Sequence, residues 1–231
     1  MNGIDEAKIH IEGDGLRIIT QNGYGYGDII RLMSYAERLA EISERKVHVT
    51  YAVESSYFED KIHTVLNHYN ISQTYNVEVV SVEKYAHKYT NLLKKEYAKQ
   101  VSDFLGRPKL RTKHESFEGD YLCVWTPWKN MSPVSSDKMP INKDTLDLFL
   151  QELDIPVKLV DYRMKIQDVF TLIRNSKLCM GYEGMGQQIA YHYNKNLISL
   201  SNLVEVSKNT GGTRSLITND LNKAKEYMNV Y

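Results

Sequence analysis

Cysteine, proline and net charge are all scarce in this chain. Of 231 residues, two are cysteine and five are proline, and 29 basic residues balance 29 acidic ones. The cysteines, Cys123 and Cys179, lie in apolar, strand-like runs (YLCVW and KLCMG), and no Cys-x-x-Cys pair occurs. That spacing excludes a thiolate metal site and reads as two buried free thiols, which pack as small hydrophobes. A formal charge of zero excludes a global field that would drive the chain to nucleic acid or membrane. No apolar run approaches the roughly 20 residues needed to span a bilayer. The first fifteen residues are polar and acidic, unlike a secretory signal, so the expected location is a reducing cytoplasm, the host's if the chain is viral. A P-loop is absent, since no Gly-x-x-x-x-Gly-Lys-Ser/Thr occurs. Asp-x-Asp, the pattern of metal-dependent sugar transferases, is absent too.

What is present is ordinary globular material, 42% hydrophobic and 25% charged, with an excess of tyrosine (17) over phenylalanine (5). Short β-type runs alternate with segments of helical periodicity, the pattern of β-α units stacked around a mostly parallel sheet. In the first half, Leu16–Thr20, Lys46–Ala52 and Val77–Val82 read as strands. Helices are expected near Asp28–Ser43, Phe58–Tyr69 and Thr90–Leu105, from apolar residues three and four apart. Gly106-Arg107-Pro108 breaks the last of these. Lys109–Gly119 is polar and patternless, which places the boundary between a domain 1–115 and a domain 116–231. The second half repeats the rhythm. Strands are expected at Tyr121–Thr126, Val157–Val160, Leu178–Gly181 and Leu197–Leu200, and helices at Lys143–Leu153, Gln167–Arg174, Gly184–Tyr193 and Asp220–Asn229. The expected architecture is α/β, with two Rossmann-like domains.

Two constellations carry chemistry. The first is Gly23-Tyr-Gly25-Tyr26-Gly27-Asp28, between a strand and a helix, an arrangement in which backbone amides and a helix start receive an anion. It is not Gly-x-Gly-x-x-Gly, and the nearest acid after the second strand is Glu54, 27 residues past Gly27, so the dinucleotide pattern is not met. Asp28 lies where open α/β sheets put their chemistry. It is the candidate general base for an acceptor hydroxyl, or a simple helix cap. The second is Gly181-Tyr-Glu183-Gly184-Met185-Gly186-Gln187-Gln188. There, glycines at a helix start allow close approach of a diphosphate to the first amides, and Glu183 can accept from ribose hydroxyls. Lys129 and Lys138, in the loop after YLCVWT, are candidate phosphate partners. Arg214, in a Gly-Gly-Thr-Arg loop, is a further one. Each has a bland reading beside it, as a tight turn or a solvated surface cation.

Taken in order, these pieces resemble the bacterial heptosyltransferase-type enzymes of the two-Rossmann glycosyltransferase architecture called GT-B. Gly27-Asp28-Ile29-Ile30 is similar to the family's Gly-Asp helix start, where the aspartate is the base. Lys138-Met139-Pro140 is similar to its Lys-x-x-Pro loop, where the lysine meets donor phosphate. Residues 173–190 (IRNSKLCMGYEGMGQQIA) resemble the stretch leading to Gly-x-Asp-Thr-Gly-x-x-His-x-Ala. In that match the family's Asp falls on Glu183 and its Ala on Ala190, while its His falls on Gln188 and its Thr-Gly on Gly184-Met185. The resemblance implies a nucleotide-sugar donor in domain 116–231, an acceptor side in domain 1–115, and no metal or other cofactor.

The acceptor is approached through charge. Residues 84–114 hold nine Lys or Arg against Glu96 and Asp103, a net +7 in 31 residues, interleaved with Tyr85, Tyr89, Tyr97 and Phe104. This is a solvated helix face with a linker, or a site for a polyanionic acceptor whose affinity falls with salt. On the second reading Gly25, Tyr26, Gly27, Lys88, Lys95, Arg107 and Arg111 are the acceptor candidates. Two acceptors fit: a hydroxymethylated base in phage DNA, which would have to be flipped from the duplex, and a phosphorylated glycolipid core. Two other function classes compete: a nucleotide-dependent enzyme of other chemistry, and a non-catalytic nucleic-acid-binding protein.

Overall fold

The structure, a computed structural model, describes residues 8–12, 15–21, 25–27, 29–30, 33–34, 37, 47–53, 56–70, 75–81, 110–126, 140–161, 163–182, 184–201 and 214–231. The chain divides into two compact units, Met1–Lys113 and His114–Tyr231. Among the described residues no helix is long and apolar enough to cross a membrane.

In the first unit, β1 (Lys8–Glu12), β2 (Gly15–Gln21), β3 (Val47–Val53) and β5 (Tyr75–Ser81) make a sheet in the order β1-β2-β3-β5. β1 is antiparallel to β2, and the rest are parallel, with Ile18 opposite Val49 and Val49 opposite Val77. Between β2 and β3 the chain is helical at Tyr26, Gly27, Ile29, Ile30, Met33, Ser34 and Glu37. Ile29, Ile30 and Met33 are buried, as three- and four-residue spacing requires of one helix face. Helix α1 (Ser56–His68) links β3 to β5 and buries Ile62 and Val65. A two-stranded pair, β4 (Tyr69–Asn70) with β6 (Arg111–Thr112), ties residue 111 back beside α1. The expected helix at Thr90–Leu105 lies outside the described residues.

The second unit is a five-stranded parallel sheet: β7 (Leu122–Trp125), β8 (Val157–Val160), β9 (Leu178–Gly181), β10 (Asn196–Leu200) and β11 (Ser215–Thr218), in the order β11-β10-β9-β7-β8. The central runs LCVW, LCMG and LISL are apolar without alternation, because both of their faces are covered. The helices are α2 (Lys143–Gln151), α3 (Ile166–Arg174), α4 (Met185–His192) and α5 (Leu221–Val230). Right-handed crossovers that step in opposite directions along a sheet put their helices on opposite faces. So α2, stepping from β7 out to β8, takes one face, while α3 and α4, stepping back through β9 to β10, share the other and pack together. α5 lies alongside α2: their N-terminal ends line one cavity and their C-terminal ends another. α2 is capped by Asn142, whose Oδ1 accepts from Thr145 N–H at 2.8 Å, and α5 by Asp220, which accepts from Asn222 N–H at 2.9 Å.

Four strands depart from the sequence expectation. β1 falls in a segment that reads as polar and acidic, yet its Ile9 and Ile11 alternate with polar residues. β4 and β6, two residues each, are too short to stand out in the sequence, and β11 has only Leu216 and Ile217 as apolar residues. They exist because neighbouring strands supply ladder partners.

Candidate functional site

A strand order that reverses direction leaves a crevice outside the carboxyl ends of the two strands at the reversal, where the flanking helices diverge to opposite faces. In the second unit the reversal falls between β7 and β9. The strand ends there are level: Trp125 is opposite both Val160 and Gly181, and Gly181 is opposite Ser199. The chain leaving β7 runs on from Thr126 and returns at Pro140 to start α2. The chain leaving β9 turns through Tyr182 and Gly184 to start α4.

Trp125, which the sequence pattern did not single out, organises this turn. It is 3% exposed, and its indole Nε1–H donates to the Tyr182 carbonyl at 2.7 Å. The ring fills the space that side chains at two glycines would need. A Cβ on Gly181 would lie 2.5 Å from Trp125 Nε1 and Cε2, and one on Gly186 would lie 2.4 Å from Trp125 Cδ2. The legible signal was the pair of glycines at a strand end and in a helix first turn. The partner they admit comes from another strand, far back in the chain.

Of the expected donor-binding stretch, Gly184 is the N-cap of α4, at a positive φ that residues with side chains rarely adopt (φ 158°, ψ −155°). A Cβ there would meet Tyr182 Cε2 at an ordinary 3.7 Å. The helix ladder opens with Gln188 N–H donating to the Gly184 carbonyl at 3.3 Å. The positive end of the helix dipole therefore lies at Gly184 and Met185, both of which are half-buried. Gly186, Gln187 and Gln188 are buried, and Gln187 Nε2 donates to Ser199 Oγ at 2.8 Å. Thus Gly186 serves packing against Trp125, and close approach from outside is left to Gly184. Glu183 lies outside the described residues.

On the same carboxyl edge, an open cavity of about 440 Å³ is lined by Pro140, Ile141, Asn142, Thr145, Asn219, Asp220 and Leu221, between the starts of α2 and α5. Pro140 closes the loop that carries Lys129 and Lys138, themselves outside the described residues. The structure places Arg214 apart from this group. It directly precedes β11, and its carbonyl accepts from Leu197 N–H (3.0 Å) and Tyr227 Oη–H (2.6 Å) at the amino edge of the sheet. Because every strand is parallel, that edge is a strand length from Gly184, about 13 Å for four residues, beyond the reach of an arginine side chain.

In the first unit, Gly25 is exposed, Tyr26 and Gly27 are half-buried, and the Gly25 carbonyl accepts from Ile29 N–H at 3.2 Å. The helix thus opens at Gly25, three residues before the expected start. Lys61 Nζ lies 5.4 Å from the Tyr26 ring centre. Asp28, Lys88, Lys95 and Arg107 lie outside the described residues. Arg111 is in β6.

Three further ionisable groups of the second unit are buried in the fold. Cys123 and Cys179 are free, fully buried and opposite one another on β7 and β9. Burial pushes the Cys179 thiol up to about 12 and the Cys123 thiol well above its ordinary value. Such thiols are poor nucleophiles. Lys195, also missed in the sequence, is 8% exposed, and its Nζ donates to the Phe117 and Ser176 carbonyls, both at 2.6 Å. Burial holds its pKa below the usual lysine range.

No protein-family model matches the chain, and no curated protein matches its sequence. Solved structures do. The iron-containing dodecameric glycosyltransferase TibC from enterotoxigenic E. coli H10407 superposes with a TM-score of 0.54 at 11% identity, over 86% of this chain and 61% of TibC. The dodecameric iron-containing heptosyltransferase TibC in complex with ADP-D-beta-D-heptose gives 0.53 at 13% identity, with the same coverage. In fold, the chain remotely resembles heptosyltransferase-like glycosyltransferases. It spans less than two thirds of their length.

Proposed function

We propose that the chain is a glycosyltransferase of GT-B type, moving a sugar from a nucleotide-sugar donor to an acceptor hydroxyl. One observation carries the reading. The glycine-opened start of α4 lies at the switch point of a five-stranded parallel sheet, in a fold matched by a transferase structure that holds ADP-heptose. The donor diphosphate is assigned to the Gly184 and Met185 amides, with Lys138 and Lys129 as counter-charges and Glu183 on the ribose hydroxyls. Asp28, from the other unit, takes the acceptor proton. As the acceptor oxygen bonds to the anomeric carbon, the bond from that carbon to the diphosphate oxygen breaks. The charge that develops on the leaving diphosphate is met by the helix dipole and the lysines. In this reading residues 1–115 form the acceptor side and 116–231 the donor side.

The acceptor is proposed to be a polyanion held by Lys88, Lys95, Arg107 and Arg111, with Gly25, Tyr26 and Gly27 beside the base. A hydroxymethylated DNA base and a phosphorylated glycolipid core remain the two candidates, and transfer assays on each separate them. TibC contains iron. Among the described residues here, no three His, Cys, Asp or Glu form a group that could hold a metal ion.

The test is a melting-shift panel of ADP, GDP, UDP, CDP and their sugars against NAD(H). A true donor nucleotide at a hundredfold excess over its dissociation constant stabilises the native chain by about 2.7 kcal/mol. A shift with NAD(H) alone would mean nucleotide chemistry of another kind. Salt-sensitive DNA binding without any nucleotide effect would mean a non-catalytic nucleic-acid-binding protein.

A further inference from the structure

We infer that Trp125 is the positioning residue of the donor site: its indole sets the path of the Tyr182–Gly184 turn, and so the aim of the first α4 amides. This rests on the donor reading given above. Gly184 has no side chain to cap the helix, and Trp125 is one of the groups that hold the turn. The N–H donates to the Tyr182 carbonyl at 2.7 Å, which locks the peptide plane at the exit of β9. The ring is wedged between Gly181, the last residue of β9, and Gly186, in the first turn of α4. One side chain therefore grips the turn on both sides. It does so from β7, the strand whose following loop carries Lys129 and Lys138.

A misaimed amide costs affinity for a pyrophosphate without touching the ligand directly. Trp125→Phe keeps a six-membered aromatic ring beside the two glycines but removes the N–H and part of the indole that packs on them. The expected result is at least tenfold weaker nucleoside diphosphate binding and a raised KM for the nucleotide sugar. The kcat should change less, and the melting temperature should fall by only a few degrees. A purely structural Trp125 would lower the melting temperature and leave nucleotide affinity within twofold, which overturns the inference.

A second measurement does not depend on that variant folding. With Trp128→Phe, Trp125 is the sole tryptophan of the chain, which has two. Its fluorescence is expected to change in intensity or wavelength when the nucleotide that stabilises the wild type is added. An unchanged spectrum at saturation overturns the inference. If the wild-type chain binds none of the nucleoside diphosphates, the donor reading itself fails, and this inference with it. If the wild type binds and both Trp125 measurements are flat, only the assignment to Trp125 fails.

Discussion

Replacing Gly186 with alanine puts a methyl group where the structure has an indole. The added Cβ would lie 2.4, 2.6 and 2.8 Å from three ring carbons of Trp125. The ring cannot move aside cheaply, because its N–H is bonded to Tyr182 and its other contacts press on Gly181. Overpacking of this kind costs about 1–3 kcal/mol, and the fixed ring puts this case near the upper end. Against it stands the helix propensity of alanine over glycine, about 1 kcal/mol. The net expectation is a loss of about 2 kcal/mol. For a unit of about 120 residues that is a fall of roughly 8 °C in melting temperature. Thermal and urea unfolding followed by near-ultraviolet circular dichroism measure it on the transition that reports tryptophan packing. The clash also predicts coupling. Trp125→Leu alone leaves a cavity, while the double variant places the new methyl in vacated space, so it should be more stable than the sum of the singles by at least about 1 kcal/mol. A Gly186→Ala cost under about 0.5 kcal/mol, or strict additivity, would refute the packing argument.

Asp28→Asn is expected to lower kcat by about 10²–10⁴-fold while leaving donor affinity near wild type; turnover within a few-fold of wild type would remove the base assignment. Alkaline pH should destabilise the second unit. The unfolded Cys179 thiol ionises near pH 9, whereas burial keeps the folded one protonated to about pH 12. The unfolded state therefore binds fewer protons between those values. The Cys179 contribution is full below pH 9 and falls by about 1.4 kcal/mol per pH unit above it; the buried Cys123 thiol adds to the loss, and the lowered Lys195 opposes it. Tyr121 and Tyr227, both pushed up to about 12 chiefly by burial, steepen the loss above pH 10. Urea midpoints from pH 8 to 10.5 measure this, and Cys179→Ala should show a shallower slope. Lys195→Met keeps the apolar stem but strips the donor from two carbonyls. It should lose about 2 kcal/mol by urea unfolding, and a loss under 0.5 kcal/mol would mean that water replaces the ammonium.

The local elements were legible because periodicity is local. Val157–Val160 and Leu178–Gly181 were read at their observed bounds, and α2, α3, α4 and α5 to within two residues at either end. The α/β class followed from the alternation of those elements, and the glycine-rich helix start at Gly184 was visible as composition. Spatial order was not. Nothing local says that β7 lies between β8 and β9, yet that order makes the ends of β7 and β9 the switch point and puts Arg214 on the far edge. Nor does spacing distinguish Gly184, where a Cβ would make only an ordinary contact with Tyr182, from Gly186, which faces an indole; the difference is made by Trp125, brought next to Gly186 by strand pairing. Lys195 reads as a surface lysine until the Phe117 and Ser176 carbonyls converge on it. Hydrophobic period and turn chemistry act between near neighbours, so the sequence by itself determined the elements. Which elements lie side by side, and so which residues share a site, depends on contacts between distant parts of the chain, and only the tertiary structure decided them.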